Sequence, residues 1–178
     1  MNYSIKDVFK KPDVRMIVII GLMIAFEVVM HRLLGIQTPI VQINFGFVPI
    51  IIIAILYGPF YSGLAWGMAD VIGTLLFPTG AFFPGFTITA FLSGVIFGIF
   101  LFKAKSYITS TVVSVLIVNI FMNMLLNTYW LTVLYQRGFI ILLPDRLIKC
   151  AITIPVQIIA IYLIQKYRPQ LEKTSSVR

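Results

Sequence analysis

Charge is what this sequence has least of: Asp, Glu, Lys and Arg make up 11% of 178 residues, against 60% hydrophobic side chains. A soluble domain needs a fuller polar shell, so the composition implies an integral membrane protein. There is one cysteine, Cys150, which excludes an internal disulfide and a cysteine-based metal site. There is one histidine, His31, beside six carboxylates. No HExxH, GxSxG or Walker A pattern occurs, and no two carboxylates stand at a spacing suited to acid–base work. No catalytic residue, cofactor or metal is expected, and the chain has no visible means of hydrolysing ATP itself. An intramembrane enzyme would have to rely on Asp70 and His31 with no second carboxylate or nucleophile at similar depth. Also missing are the repeated halves of many secondary transporters.

What is there is a succession of apolar runs. A helix needs roughly 20 apolar residues to cross a bilayer, and six candidate spans emerge at 14–34, 44–58, 60–77, 86–103, 107–135 and 144–166. The expected fold is therefore an all-α integral membrane protein, one membrane domain over 1–178 with tails at 1–13 and 167–178. Residues 1–13 carry Lys6, Asp7, Lys10, Lys11 and Asp13 without a small-residue cleavage signal, which reads as a cytoplasmic tail. The formal charge of +8 is not a nucleic-acid signal, because the basic residues sit at the span ends. Lys6, Lys10, Lys11, Arg15, Lys103, Lys105, Lys166, Arg168, Lys173 and Arg178 share one side, which the positive-inside rule makes cytoplasmic, with both termini. The expected location is a cell membrane, crossed several times.

The exceptions are Arg32, Arg137, Arg146 and Lys149, all near outer span ends. Arg137 is read as snorkelling to the interface, whereas the other three coincide in depth with further polar groups. With about 100° per residue, Asn119, Asn123, Asn127 and Trp130 fall on one face of the fifth span. Amides in lipid lack partners, so this face points inward, either gluing helices together or meeting a ligand. The sixth span opens "LLPDRLIKCAITIPVQ": Pro144 suits a first helical turn and Asp145 the positive helix end, and Arg146, Lys149, Thr153 and Gln157 share a face. Asp70 in the third span has Trp66 one turn earlier. An unpaired aspartate near a helix centre costs about 2.5–3.5 kcal/mol, so Asp70 either pairs with Arg32 or Lys149 or binds the donor-rich edge of a ligand ring. Glu27 and His31, four apart, read as a structural pair. Gly21 and Ala25 make a small-xxx-small step open to close helix approach.

After Asp70 comes "VIGTLLFPTGAFFPGFTITAFLSGVIFG". Pro78, Gly80, Pro84 and Gly85 break the helix, yet Phe77, Phe82, Phe83 and Phe86 make the loop apolar. Such a loop is expected to cover something or dip back among the helices, and the uncharged "GIQTPIVQINFG" before the second span is expected to join it.

Six spans in a chain this short, the small-xxx-small step in the first, "YGPFYSGLAWGMADVIG", "FPTGAFFPGFTITAFLSGVIFG" and "PDRLIK" resemble the substrate-binding S components of energy-coupling factor (ECF) vitamin transporters, and most of all the folate branch. The resemblance implies a subunit embedded in a prokaryotic cell membrane that captures folate at its outer face and associates with a transmembrane coupling subunit and two cytoplasmic ATPases. It implies that Gly21 and Ala25, where the family usually has two alanines, contact the coupling subunit, and that the S component topples in the membrane to release ligand. Folate offers an amino-substituted ring for Asp70, an aromatic body for Trp66 and loop phenylalanines such as Phe83, and a glutamate tail for Arg32, Arg146 or Lys149. Asn123, Asn127 and Trp130 complete the expected ligand set. The alternatives are an S component for a queuosine precursor or thiamin, and a structural subunit whose polar stripes only glue helices.

Overall fold

Asp13 begins the first helix: its side chain accepts the Val14 N–H at 2.8 Å, satisfying one of the orphan donors of the helix start. The computed structural model describes residues 12–37, 42–78, 82–136 and 139–171. Helix α1 spans Val14–Arg32 and ends with His31 and Arg32 in its last turn, where cations suit the helix dipole. A two-residue antiparallel pair follows, β1 (Ile36–Gln37) on β2 (Gln42–Ile43), with Ile36 opposite Ile43.

Helix α2 (Phe47–Tyr57) is apolar on every side and almost wholly buried, with Ile50, Ile51, Ile53 and Ala54 at 0% exposure, as expected of a helix without a polar face. Gly58, at φ 85°, turns the chain into α3 (Pro59–Leu76). Pro59 stands at the helix start, where its missing N–H costs nothing. Helix α3 buries a face of small residues: Ser62, Gly63, Ala65, Gly67, Ala69 and Gly73. Helix α4 (Pro84–Leu101) answers with Gly85, Ser93, Gly94 and Gly98. The two approach so closely that Ser62 Oγ donates to the Gly94 carbonyl across the interface at 2.8 Å. Between membrane helices, where lipid matches the apolar side chains, such packing and hydrogen bonding carry the association.

Helix α5 (Tyr107–Ile117), a π-wound segment (Val118–Leu126) and α6 (Asn127–Tyr135) run on as one rod. Helix α7 spans Phe139–Lys166 with Pro144 and Pro155 inside it. Pro144 is therefore not at the first helical turn, as its start signal suggested. The helix begins five residues earlier, and the proline costs it one backbone bond near its end, where few such bonds are made.

Among the described residues the helices thus form six rods, each overlapping one expected span. Four stretches are long and apolar enough to cross a membrane: Val14–Arg32, Pro84–Leu101, Tyr107–Leu134 and Arg146–Lys166. Helix α2 is apolar but shorter, and α3 has comparable length but carries Asp70 among small and polar residues. Apolar and polar are distributed as lipid requires. Ile17, Val18, Leu22 and Phe26 stay exposed on α1, while Glu27, Ser62, Thr111, Ser114, Asn119 and Gln157 are buried. One core cluster joins α2, α4, α5 and α7 through Ile51, Phe97, Val115 and Ile161. A second joins α1, α2 and α3 through Ile24, Val28, Ile50 and Ala65, with Trp66 packed against both.

Candidate functional site

Where α1 and α3 end and α4 and α7 begin, the rods part around a cavity of about 400 Å³, within the range of small-molecule sites. Of the nine residues expected to meet a ligand, eight line it: Arg32, Trp66, Asp70, Phe83, Asn123, Asn127, Arg146 and Lys149. They come from α1, α3, the residue preceding α4, the π-wound segment, α6 and α7.

Asp70 does not rely on a cation for its hydrogen bond. Its Oδ2 accepts from Thr87 Oγ1 on α4 at 2.8 Å, and Arg32 Nη2 donates to Thr74 Oγ1 one turn further along α3, also at 2.8 Å. Residue 73 beside it is glycine, and a Cβ there would crowd Arg32 Nε at 3.2 Å. The carboxylate and the guanidinium are thus each held by a threonine, both on the same stretch of cavity wall. Neither threonine was singled out from sequence. An antiparallel α3–α4 turn brings residues near the end of one helix beside those near the start of the next, and that register was the available signal for Thr87.

The aromatic wall is layered. Trp66 lines the cavity and stacks on Phe97 behind it, 6.0 Å between ring centres with planes 25° apart. Phe83 packs edge-on against Phe86 at 6.0 Å and lies 5.6 Å from Trp130. Trp130, the ninth expected residue, is not among the lining side chains. It stands behind Phe83, with Nε1 donating to Thr89 Oγ1 at 3.1 Å. Gly85 makes room for it, since a Cβ there would fall 2.5 Å from the indole. The uncharged connections contribute Asn44 and Phe82 to the lining; the parts of the two connecting loops at 38–41 and 79–81, including Gly80, lie outside the described residues, and so does the covering role expected of those parts.

The asparagine stripe forms a chain of hydrogen bonds. Asn127 Nδ2 donates to Asn123 Oδ1 at 3.1 Å, Asn123 Nδ2 to Asn119 Oδ1 at 3.4 Å, and Asn119 Nδ2 to both Gln157 Oε1 (2.7 Å) and the Val115 carbonyl (2.9 Å). The backbone beneath it is π-wound rather than α-helical, a form often found at functional sites. The four-residue spacing keeps the amides on one side in either winding. Glu27 and His31 do pair, Nδ1 to Oε1 at 3.0 Å, and the pair also lines the cavity. Among the described residues no group of three His, Cys, Asp or Glu side chains is placed to hold a metal ion.

A bundle with apolar sides and a mixed polar and aromatic cavity among its helix ends is a membrane protein built around a small-molecule site. The family described as "ECF transporter, substrate-specific component" matches residues 15–165, and the chain belongs to that family. It is 37% identical over 164 residues to the folate transporter FolT of Clostridium novyi (strain NT), covering 92% of this chain and 95% of that one. It is 36% identical over 157 residues to the folate transporter FolT of Leuconostoc mesenteroides subsp. mesenteroides, covering 85% and 84%. A solved structure of FolT bound with folic acid superposes with a TM-score of 0.81 at 35% identity, covering 86% of this chain and 94% of that chain.

Proposed function

We propose that the chain is the folate-binding S component of an ECF transporter, capturing folate at the outer face of a prokaryotic cell membrane. One observation carries this reading: a single cavity gathers Asp70, two flanking aromatics and three cations, the complement of an amino-substituted ring with a dicarboxylate tail. The similarity to a folic-acid-bound FolT supports it. All six rods then cross the bilayer. Both termini are cytoplasmic, because this puts most basic residues inside and the cavity outside.

Asp70 takes the amino edge of the pterin ring through parallel charge-assisted hydrogen bonds. Trp66 and Phe83 flank the ring, Asn123 and Asn127 contact its polar edge, and Trp130 supports Phe83. Arg32, Arg146 and Lys149 receive the glutamate carboxylates. Purified protein is expected to bind folic acid one to one by calorimetry, and mass spectrometry of the co-purifying small molecule is expected to find a folate. Recovery of a different vitamin would keep the architecture and overturn the ligand.

Uptake then requires a transmembrane coupling subunit and two cytoplasmic ATPases, with Gly21 and Ala25 meeting the coupling subunit. Both residues are exposed on α1, and a Cβ added at Gly21 touches nothing within 4 Å, which suits close helix approach. In Gly21→Leu and Ala25→Leu, folic acid affinity is expected to stay unchanged while uptake in cells carrying the partner subunits falls about tenfold, the equivalent of ~1.4 kcal/mol lost from the contact. Equal loss of binding and uptake would remove these residues from the coupling surface.

A further inference from the structure

We propose that the asparagine chain is a polarised ladder whose buried end dictates that its cavity end, Asn127 Oδ1, accepts a hydrogen bond from the ligand, with Asn119 as its positioning residue. The inference rests on the cavity being the ligand site and names the chemistry that one wall of it demands.

The direction of the ladder follows from one atom. A backbone carbonyl can only accept, so the Asn119 group 2.9 Å from the Val115 carbonyl is the amide nitrogen. That leaves Asn119 Oδ1 facing Asn123, which must present its own nitrogen. Asn123 Oδ1 then faces Asn127, which again presents nitrogen. Reversing any one amide would oppose two oxygens or two nitrogens. Gln157 closes the base, its Oε1 accepting the second Asn119 proton at 2.7 Å. Asn119 and Gln157 are buried, at 1% and 6% exposure, so this end cannot rearrange around water.

At the other end Asn127 has used a nitrogen within the ladder, and its Oδ1 is buried with no hydrogen-bond partner among the described residues. A buried acceptor left without a donor is costly, and Asn127 lines the cavity. Thr153 Oγ1, on the opposing α7, is a second such atom. A hydroxyl can donate or accept, so it imposes no direction, whereas an amide oxygen does. A ring N–H, an exocyclic amine or an amide N–H satisfies Asn127, while a carbonyl or carboxylate would meet it lone pair to lone pair. For folic acid the ladder therefore sets a donor N–H, not a carbonyl or carboxylate oxygen, against Asn127 Oδ1.

The test is infrared spectroscopy of protein carrying ¹³C at asparagine Cγ, ligand-free and saturated with folic acid. In ligand-free protein a non-hydrogen-bonded carbonyl band is expected that disappears in Asn127→Leu. Folic acid is expected to move that band to lower frequency. Asn119→Leu unpins the ladder, so the free band is expected to lose intensity as the outer amides turn over, and folic acid affinity to fall about 3- to 10-fold. Absence of a free Asn127 band in the ligand-free wild type, or a band unmoved at saturation, overturns the proposal. If calorimetry shows that folic acid does not bind at all, the folate reading falls instead, and the free band alone then upholds or overturns the ladder's direction.

Discussion

Asp70→Ala is expected to lower folic acid affinity by about 10²- to 10³-fold without lowering the thermal midpoint of the ligand-free protein. Removing one partner of a buried, hydrogen-bonded charge pair typically costs about 2–5 kcal/mol, and each 1.4 kcal/mol is about tenfold. The stability arm has the opposite sign, because a carboxylate at membrane depth is a liability when no ligand is bound. Among the described residues its one hydrogen bond is from a threonine hydroxyl at 2.8 Å, a bond worth roughly 1.5–3 kcal/mol at most. Asp70→Asn keeps the shape and one acceptor but not the charge, so an intermediate loss is expected. Thr87→Val removes the hydroxyl that aims the carboxylate, and about fivefold weaker binding is expected, in proportion to one hydrogen bond. Isothermal calorimetry with folic acid and thermal unfolding in detergent measure both arms. An Asp70→Ala protein that unfolds early yet binds normally would make Asp70 a structural residue.

Much of this site could be read from residue spacing, and the reasons are specific. Four-residue repeats of asparagine, and the three- and four-residue steps of Arg146, Lys149, Thr153 and Gln157, place each set on one side of its rod whatever the neighbours do. Lipid offers no hydrogen bonds, so those sides had to face inward, and the structure brings them to one cavity. Asp70 was conspicuous for the same reason. What spacing cannot carry is register between rods. The partners of Asp70 and Arg32 are threonines 17 and 42 residues away in sequence, and a threonine in a membrane helix signals nothing by itself. The π winding of Val118–Leu126 was equally hidden, because its asparagines keep their side under either winding. Glu27 and His31 satisfy each other as their spacing suggested, but their place on the cavity wall depends on how α1 leans on its neighbours.

Register is also why one methyl group far from the cavity should matter. Gly98→Ala is expected to destabilise the protein by about 3 kcal/mol, the upper part of the range for overpacked sites. The new Cβ would stand 2.2 Å from Pro59 Cα, 2.6 Å from Pro59 N and 2.8 Å from Ser62 Oγ. Two of these three atoms are backbone, and no rotamer change moves them aside. Pro59 cannot swing away cheaply, because it follows Gly58 at φ 85° and opens α3. The helices must therefore separate at this end, which strains the Ser62 to Gly94 hydrogen bond. Gly21→Ala provides the contrast: with nothing within 4 Å, the same methyl in a helix interior gains up to about 1 kcal/mol from propensity. The Gly98 clash lies at the opposite end of the α3–α4 contact from Asp70 and Thr87. In protein that stays folded, folic acid affinity should then change by no more than about threefold, less than one typical hydrogen bond. Thermal unfolding and calorimetry on the two glycine variants separate the outcomes. A Gly98→Ala protein as stable as wild type would mean that α3 and α4 do not cross as closely as these glycines require.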